Sequence, residues 1–227
     1  MAPRAQQGRI AAVIFDLDGV LLDSESAWVR VKREYTEETG GHWQERAQWE
    51  MLGMSSTEWS IYMHDQLGIP GPPERISAEV ADRLVELYRE RLPLLPGAVD
   101  AVEALAAEWP LGLASSSNRN VIDLVLDLAG IADRFKATVS SEEVERGKPA
   151  PDVYLEAARR LEVEPEVCAA IEDSTNGIRS ADSAGMTVIA VPNSDFPPEP
   201  EAVDLAAVVL DSLEQLSPER VRSLRRA

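Results

Sequence analysis

The sequence is poor in the residues that staple or metallate small proteins. Cys168 is the only cysteine among 227 residues, so no intrachain disulfide can form and a zinc site built from several thiolates is excluded. That scarcity fits a reducing, cytoplasmic setting. Histidine occurs twice, at His42 and His64, without the spacing of paired metal ligands, and each reads as a surface or packing residue. Basic residues are scarce as well: 22 Lys and Arg stand against 40 Asp and Glu, a formal charge of −18. A field of that sign repels polyanions and excludes a nucleic-acid surface, so an anionic ligand must find a local positive focus. Beyond the arginines only Lys32, Lys136 and Lys148 could build one. No apolar run is long enough to span a bilayer, and Met1 to Arg9 lacks the flanks of a signal peptide. The expectation is a soluble protein with a frayed N-terminal tail and no membrane or protein partner. The basic ending Arg220, Arg222, Arg225, Arg226 reads as a helix C-terminus complementing its dipole.

What is present is a rhythm of short apolar runs. Ala11–Phe15, Leu111–Ala114, Ala137–Val139, Cys168–Ile171 and Thr187–Val191 have the length and composition of buried strands. Most are separated by helical spacing, as in Val99, Val102 and Leu105, in Val121, Val125 and Leu128, or in Tyr154, Ala158 and Leu161. Strands alternating with helices predict a parallel sheet covered on both faces, an α/β doubly wound, Rossmann-like core. Residues 24–91 break the rhythm, giving successive helical patterns with no buried strand between them. They predict an inserted helical cap domain, leaving 1–23 and 92–227 as the core domain. The proline and glycine cluster Leu92 to Gly97 suits a hinge, and Phe196 to Pro200 reads as a loop. Four tryptophans, Trp28, Trp43, Trp49 and Trp59, fall in the insert and read first as its core, with sugar stacking the sharper alternative.

Polar residues follow four of the apolar runs. Asp16-Leu17-Asp18-Gly19 ends the first; Ser115-Ser116-Ser117 ends the second; Glu172-Asp173-Ser174 ends a later one, with Asp173 or Ser174 suited to cap a helix near Asn176. Lys148 lies in Gly147-Lys148-Pro149-Ala150-Pro151-Asp152, just before a proline-started helix. Parallel strands bring such ends to one edge of the sheet, where open α/β sheets bind ligands. Up to four carboxylates, one ammonium and several small donors then share a site. Carboxylates that close cannot all stay ionised without a cation, and oxygen-only ligands favour Mg²⁺ over zinc. An EF-hand is excluded by Val20 at its fifth position. Lys148 and Ser115, with neighbouring N–H groups, suit the oxygens of a phosphate.

These four motifs, in this order, resemble those of the haloacid dehalogenase superfamily, in the branch whose helical cap is inserted after the first motif. The resemblance spans almost the whole chain. It implies a phosphatase in which Asp16 attacks phosphorus and Asp18 protonates the leaving oxygen and then activates water, with Ser115 and Lys148 completing the catalytic set. It also implies Mg²⁺ held by Asp16, the main-chain oxygen of Asp18, Asp173 and, directly or through a neighbour, Glu172. Within the branch, Asp23-Ser24-Glu25-Ser26-Ala27-Trp28, Leu95-Pro96-Gly97 and Asp152-Val153-Tyr154-Leu155 resemble sugar and hexitol phosphate phosphatases and β-phosphoglucomutases. A small phosphorylated metabolite is the implied partner. Ser116, Asn118 and Arg119 are candidate substrate contacts, although Asn118 suits a helix cap equally. The mutases carry a cap histidine and arginine where this chain has Trp28 and Ser56, which favours hydrolysis over phosphomutation. A signalling phosphoacceptor or a non-catalytic relative is the alternative of another class. A Schiff-base role for Lys32 has no supporting neighbour pattern.

Overall fold

Alternation within the apolar runs decides which side chain meets which layer. In β1 (Ala12–Phe15), Val13 and Phe15 face one cluster of buried residues while Ala12 and Ile14 face another, because successive strand residues point to opposite sides of a sheet. The same division runs through β2 (Leu111–Ser115), β4 (Cys168–Glu172) and β5 (Thr187–Ala190). With β3 (Phe135–Ser140) and β6 (Val208–Val209) they form one sheet in the order β3-β2-β1-β4-β5-β6, every pair parallel. The computed structural model describes residues 9–224. The expected N-terminal tail and the arginines Arg225 and Arg226 of the basic ending fall outside the described residues, apart from Arg9.

The doubly wound expectation holds. Helices α5 (Ala98–Ala106) and α6 (Arg119–Ala129) bury Val102, Leu105, Val121 and Val125 on the face that carries Val13 and Phe15. Helices α7 (Asp152–Leu161) and α8 (Thr175–Ser183) bury Val153, Ala157, Ile178 and Ala181 on the other. Leu128, expected on the buried stripe of α6, is exposed; Ile122 and Leu126 take its place. The strand expected at Ala137–Val139 is longer at both ends, since its edge position leaves Lys136 exposed and breaks the apolar run. β6 is two residues at the other edge, too short to announce itself. Pro200, expected in a loop, opens the short helix α9 (Pro200–Val203), where a missing N–H does no harm. The last helix among the described residues is α10 (Pro218–Ser223), from which Arg222 reaches back to Glu108 at 2.6 Å.

Between β1 and β2 the chain forms α1 (Glu25–Glu38), α2 (Ala47–Glu50), α3 (Ser56–Asp65) and α4 (Pro73–Glu90). Ser55 caps α3 in a reciprocal box with Glu58. Ile76, Val80, Leu84 and Tyr88 line one face of α4. The two passages joining this helical segment to the sheet lie side by side: Asp23 N donates to Pro93 O and Leu95 N to Leu21 O, at 2.9 and 3.0 Å. Among the described residues no helix is long and apolar enough to cross a membrane.

Candidate active site

The carboxyl ends of β1, β2 and β4 meet beneath the helical segment, because the register sets Phe15 beside both Leu113 and Ile171. Asp16 still donates its N–H to Ile171 O at 3.0 Å, so its side chain is fixed at the end of the ladder. The chain then turns through Gly19 at φ +75°, with Leu17, Val20 and Leu21 buried beneath the turn. A Cβ on Gly19 would lie 1.9 Å from Asp173 Oδ2, so glycine is required twice, for its backbone angle and for the close approach of this turn to Asp173.

Lys148 is 4 % exposed and forms ion pairs with Asp16 Oδ1 at 2.8 Å and Glu172 Oε1 at 2.6 Å. Tyr154 O–H donates to the same Glu172 oxygen at 2.7 Å, and Lys148 Nζ lies 5.0 Å from the centre of its ring. Glu172 Oε2 accepts from the N–H groups of Asp173 and Ser174 at 3.1 and 3.4 Å and from Ser174 Oγ at 3.3 Å. Both Glu172 oxygens are therefore engaged by donors of the chain itself. Ser174 caps α8 by accepting from Gly177 N–H, as one of the two sequence candidates. At Gly177 itself a Cβ would stand 2.0 Å from the Glu172 carboxylate.

Asp18 turns the other way. Its Oδ1 accepts from the indole N–H of Trp28 at 3.0 Å, and its Oδ2 from Ser117 Oγ at 2.6 Å, with Ser115 Oγ at 3.5 Å. Ser115 Oγ also accepts from Ser117 N–H at 3.0 Å. Ser140 and Ser141, at the end of β3, donate to the carbonyls of Ser117 and Ser116 at 2.6 and 3.0 Å and so pin this loop. Ser116 Oγ is buried and has no hydrogen-bond partner among the described residues.

Electrostatics divide the site. Burial, together with the Glu172 and Asp18 carboxylates, pushes Asp16 up to about 8, although Lys148 works against the rise. Asp173 is raised by burial and by the carboxylates of Glu172, Asp16 and Glu25. Burial would depress Lys148, but the Asp16 and Glu172 carboxylates more than offset it and hold its ammonium above the usual lysine range. Asp16, Glu172 and Asp173 each place a carboxylate oxygen within 4.8 Å of the others, and Asp173 Oδ1 is buried without a partner among the described residues. Crowded carboxyl groups with an unsatisfied oxygen and no soft ligand fit a hard divalent cation.

A cavity of about 260 Å³ opens over these groups, lined by Asp16, Asp18, Ser116, Lys148 and Asp173 on the sheet side. Trp49 and Phe196 close part of its rim, ring centres 5.3 Å apart. Trp49 is thus an exposed residue of the rim and not part of the core expected for the helical segment; Trp28 and Trp59 are buried, as expected, and line an adjoining recess that shares Asp18 and Ser116 with the cavity.

The remaining expected contacts lie elsewhere. The Asn118 amide donates to Ser77 Oγ and Glu142 Oε1, both at 2.8 Å, so this residue ties α4 to the loop after β3; its side chain makes no cap bond to α6. Arg119 is held by Asp123, Thr138 and Glu143. Both residues, with Ser56, border a separate cavity of about 590 Å³ between α3, α4 and α6. Neither lines the Asp16 cavity, since Asn118 is engaged by Ser77 and Glu142 and Arg119 by Asp123, Thr138 and Glu143. Sequence reasoning passed over Tyr154 as a partner of Glu172, and Ser140 and Ser141 as supports of the serine loop. It also passed over Glu25 as a site residue and weighed Lys32 only as a source of positive charge and for a Schiff base; both line the adjoining recess, and their spacing with Trp28 on α1, three and then four residues apart, was the available signal.

Comparison with known proteins agrees with this arrangement. Residues 10–185 match the family described as haloacid dehalogenase-like hydrolase. Hexitol phosphatase B of Escherichia coli strain K12 is 36% identical over 213 residues, covering 92% of this chain and 95% of that protein. The crystal structure of CbbY from Rhodobacter sphaeroides in complex with phosphate superposes with a TM-score of 0.83 at 30% identity, over 95% of this chain and all of that one. β-Phosphoglucomutase from Clostridium difficile superposes with a TM-score of 0.78 at 28% identity, covering 93% of this chain and 95% of that one.

Proposed function

This chain belongs to the haloacid dehalogenase-like hydrolases, and from that membership we propose that it hydrolyses the phosphate monoester of a small sugar or polyol through a phosphoaspartate on Asp16. The observation that carries the reading is the single cavity in which Asp16 and Lys148 form an ion pair at 2.8 Å while Asp18, on the same turn, is held apart by Trp28 and Ser117. A nucleophile needs its charge and its phosphorus; an acid-base partner needs reach and a different environment.

Residues 24–91 act in this reading as a cap domain over a core made of residues 1–23 and 92–227. Mg²⁺ would be held by Asp16, Asp173 and the main-chain oxygen of Asp18, and would supply the positive charge that lets an anionic monoester approach an anionic nucleophile. Glu172, its oxygens already engaged, serves to hold Lys148 and is not a ligand. Lys148, Ser115 and the buried Ser116 hydroxyl bind the phosphoryl oxygens. A carboxylate oxygen of Asp16 bonds to phosphorus as the ester P–O bond breaks, and Asp18 gives its proton to the departing alcohol. Asp18 then takes a proton from water, whose oxygen attacks the phosphoaspartate; inorganic phosphate leaves and Asp16 is regenerated. The resemblance of the sequence to hexitol phosphatase B supports a hexitol phosphate as substrate.

Rapid acid quench with a ³²P-labelled hexitol phosphate in Mg²⁺ tests this. The label should be trapped on Asp16, Asp16→Asn should lose at least about 10³-fold in turnover, and the product should be inorganic phosphate. Label on another residue, or an isomeric sugar phosphate as main product, overturns the reading.

A further inference from the structure

Beside the Asp16 cavity, on the side of the helical segment, Glu25, Trp28, Lys32, Met54 and Trp59 surround a lobe of about 60 Å³. Asp18, Glu25, Gly53 and Ser116 border both, so the lobe lies directly beside the Asp16 cavity. Lys32 is 7 % exposed, yet among the described residues its ammonium has no ion pair and no hydrogen bond. It is held over two ring faces, 4.8 Å from the centre of Trp59 and 5.1 Å from that of Trp28. Those rings lie 5.9 Å apart and leave the ammonium directed at the lobe.

Burying an ammonium without a hydrogen-bond acceptor is costly, and two ring faces recover only part of the loss. The ammonium therefore lacks an acceptor within hydrogen-bond distance, which a ligand can bring. A second phosphate or a carboxylate is a poor candidate, because Asp18 and Glu25 line the same lobe and one lysine would face two acids. A hydroxyl suits both signs: it accepts from Lys32 and donates to a carboxylate, while the C–H faces beside it pack on an indole. Burial pushes Lys32 down to about 8 and Glu25 up to about 7, although the charge of each works against the other's shift.

We infer that Lys32 is a specificity-determining residue of this site: its ammonium, seated on Trp28 and Trp59, donates to a hydroxyl on the tail of an uncharged polyhydroxy phosphate monoester, and so selects polyol and sugar phosphates over bisphosphates and phosphorylated acids. The inference deepens the phosphatase reading and rests on it.

The test compares kcat and KM in Mg²⁺ for glucitol 6-phosphate, 6-phosphogluconate and p-nitrophenyl phosphate, which has no hydroxylated tail, in the unaltered chain, Lys32→Met and Lys32→Arg. Loss of a charge-assisted hydrogen bond should raise KM for glucitol 6-phosphate about 10- to 100-fold in Lys32→Met. The preference for it over p-nitrophenyl phosphate should fall by a similar factor. Lys32→Arg, which keeps the charge and donors, should retain most of that preference and guards against a packing defect. An unchanged preference in Lys32→Met, or a 6-phosphogluconate activity above that on glucitol 6-phosphate in the unaltered chain, overturns the assignment of Lys32 alone. Phosphate release from none of the three substrates overturns the phosphatase reading and the assignment with it.

Discussion

At the scale of single residues, the two aspartates of the first turn sit two positions apart and meet opposite surroundings. Asp16 faces an ammonium and a carboxylate cluster; Asp18 faces an indole N–H and a serine hydroxyl. The Trp28 bond reaches Asp18 from α1, so the helical segment orients a group on the core turn. Trp28→Phe keeps the ring that packs on Trp59 and removes the donor. It should lower kcat about 10- to 100-fold, the worth of a buried hydrogen bond to a charged group, while KM for p-nitrophenyl phosphate changes little. Steady-state kinetics on the two proteins checks this; an equal kcat would make the bond a packing detail. The sequence showed Trp28 only as an aromatic where relatives of the mutase type have histidine. That it bonds Asp18 depends on the entry angle of α1.

At the scale of elements, the first turn and the start of α8 are built to touch. Gly19 leaves no space between its Cα and Asp173, and Gly177 leaves none beside Glu172. Gly19→Ala combines a positive φ with a contact that cannot exist. It should destabilise the protein by about 1–3 kcal/mol and displace Asp173, so that the Mg²⁺ concentration for half-maximal activity rises at least about tenfold. Urea denaturation and a Mg²⁺ titration measure the two effects separately. A loss of stability with an unchanged Mg²⁺ requirement would show that Asp173 does not hold the cation. The strand-end motifs were legible because each follows a buried run directly. The edges of the sheet were less so, since β3 alternates with exposed residues and β6 is only two long.

At the scale of the whole molecule, the net charge of −18 and the buried acids act in one direction. In the cation-free protein Asp16 and Glu25, raised chiefly by burial to about 8 and about 7, bind protons more tightly folded than unfolded. Across the window between the usual carboxylate values and those raised values the folded state holds more protons, so stability falls as pH rises. Lys32, lowered to about 8 by burial, reverses the trend above that pH, where the unfolded chain holds the extra proton. Thermal melts in chelator should therefore show Tm falling from about pH 5 to about pH 8. Mg²⁺ should recover more of it at the higher pH, where the cation meets ionised ligands. A Tm independent of pH in chelator, or an equal gain from Mg²⁺ at both ends, would contradict the cluster as a cation site.

By itself the sequence determined the layered core, the break in its rhythm over residues 24–91, and the gathering of Asp16, Asp18, Ser115, Lys148, Glu172 and Asp173 at one edge. These follow from hydrophobic period and from where polar residues interrupt it, which are local properties. Tertiary structure alone decided where each side chain points once there. Glu172 turns to Lys148 and Tyr154, Asp18 to Trp28 and Ser117, Asn118 to Ser77 and Glu142, and Lys32 to two indoles. Most of those partners lie 18 to 99 residues away along the chain, as Tyr154 does from Glu172 and Ser117 from Asp18. A polar side chain at a strand end has several low-energy rotamers, and the choice among them falls to donors and acceptors that only the packing of distant segments brings within reach.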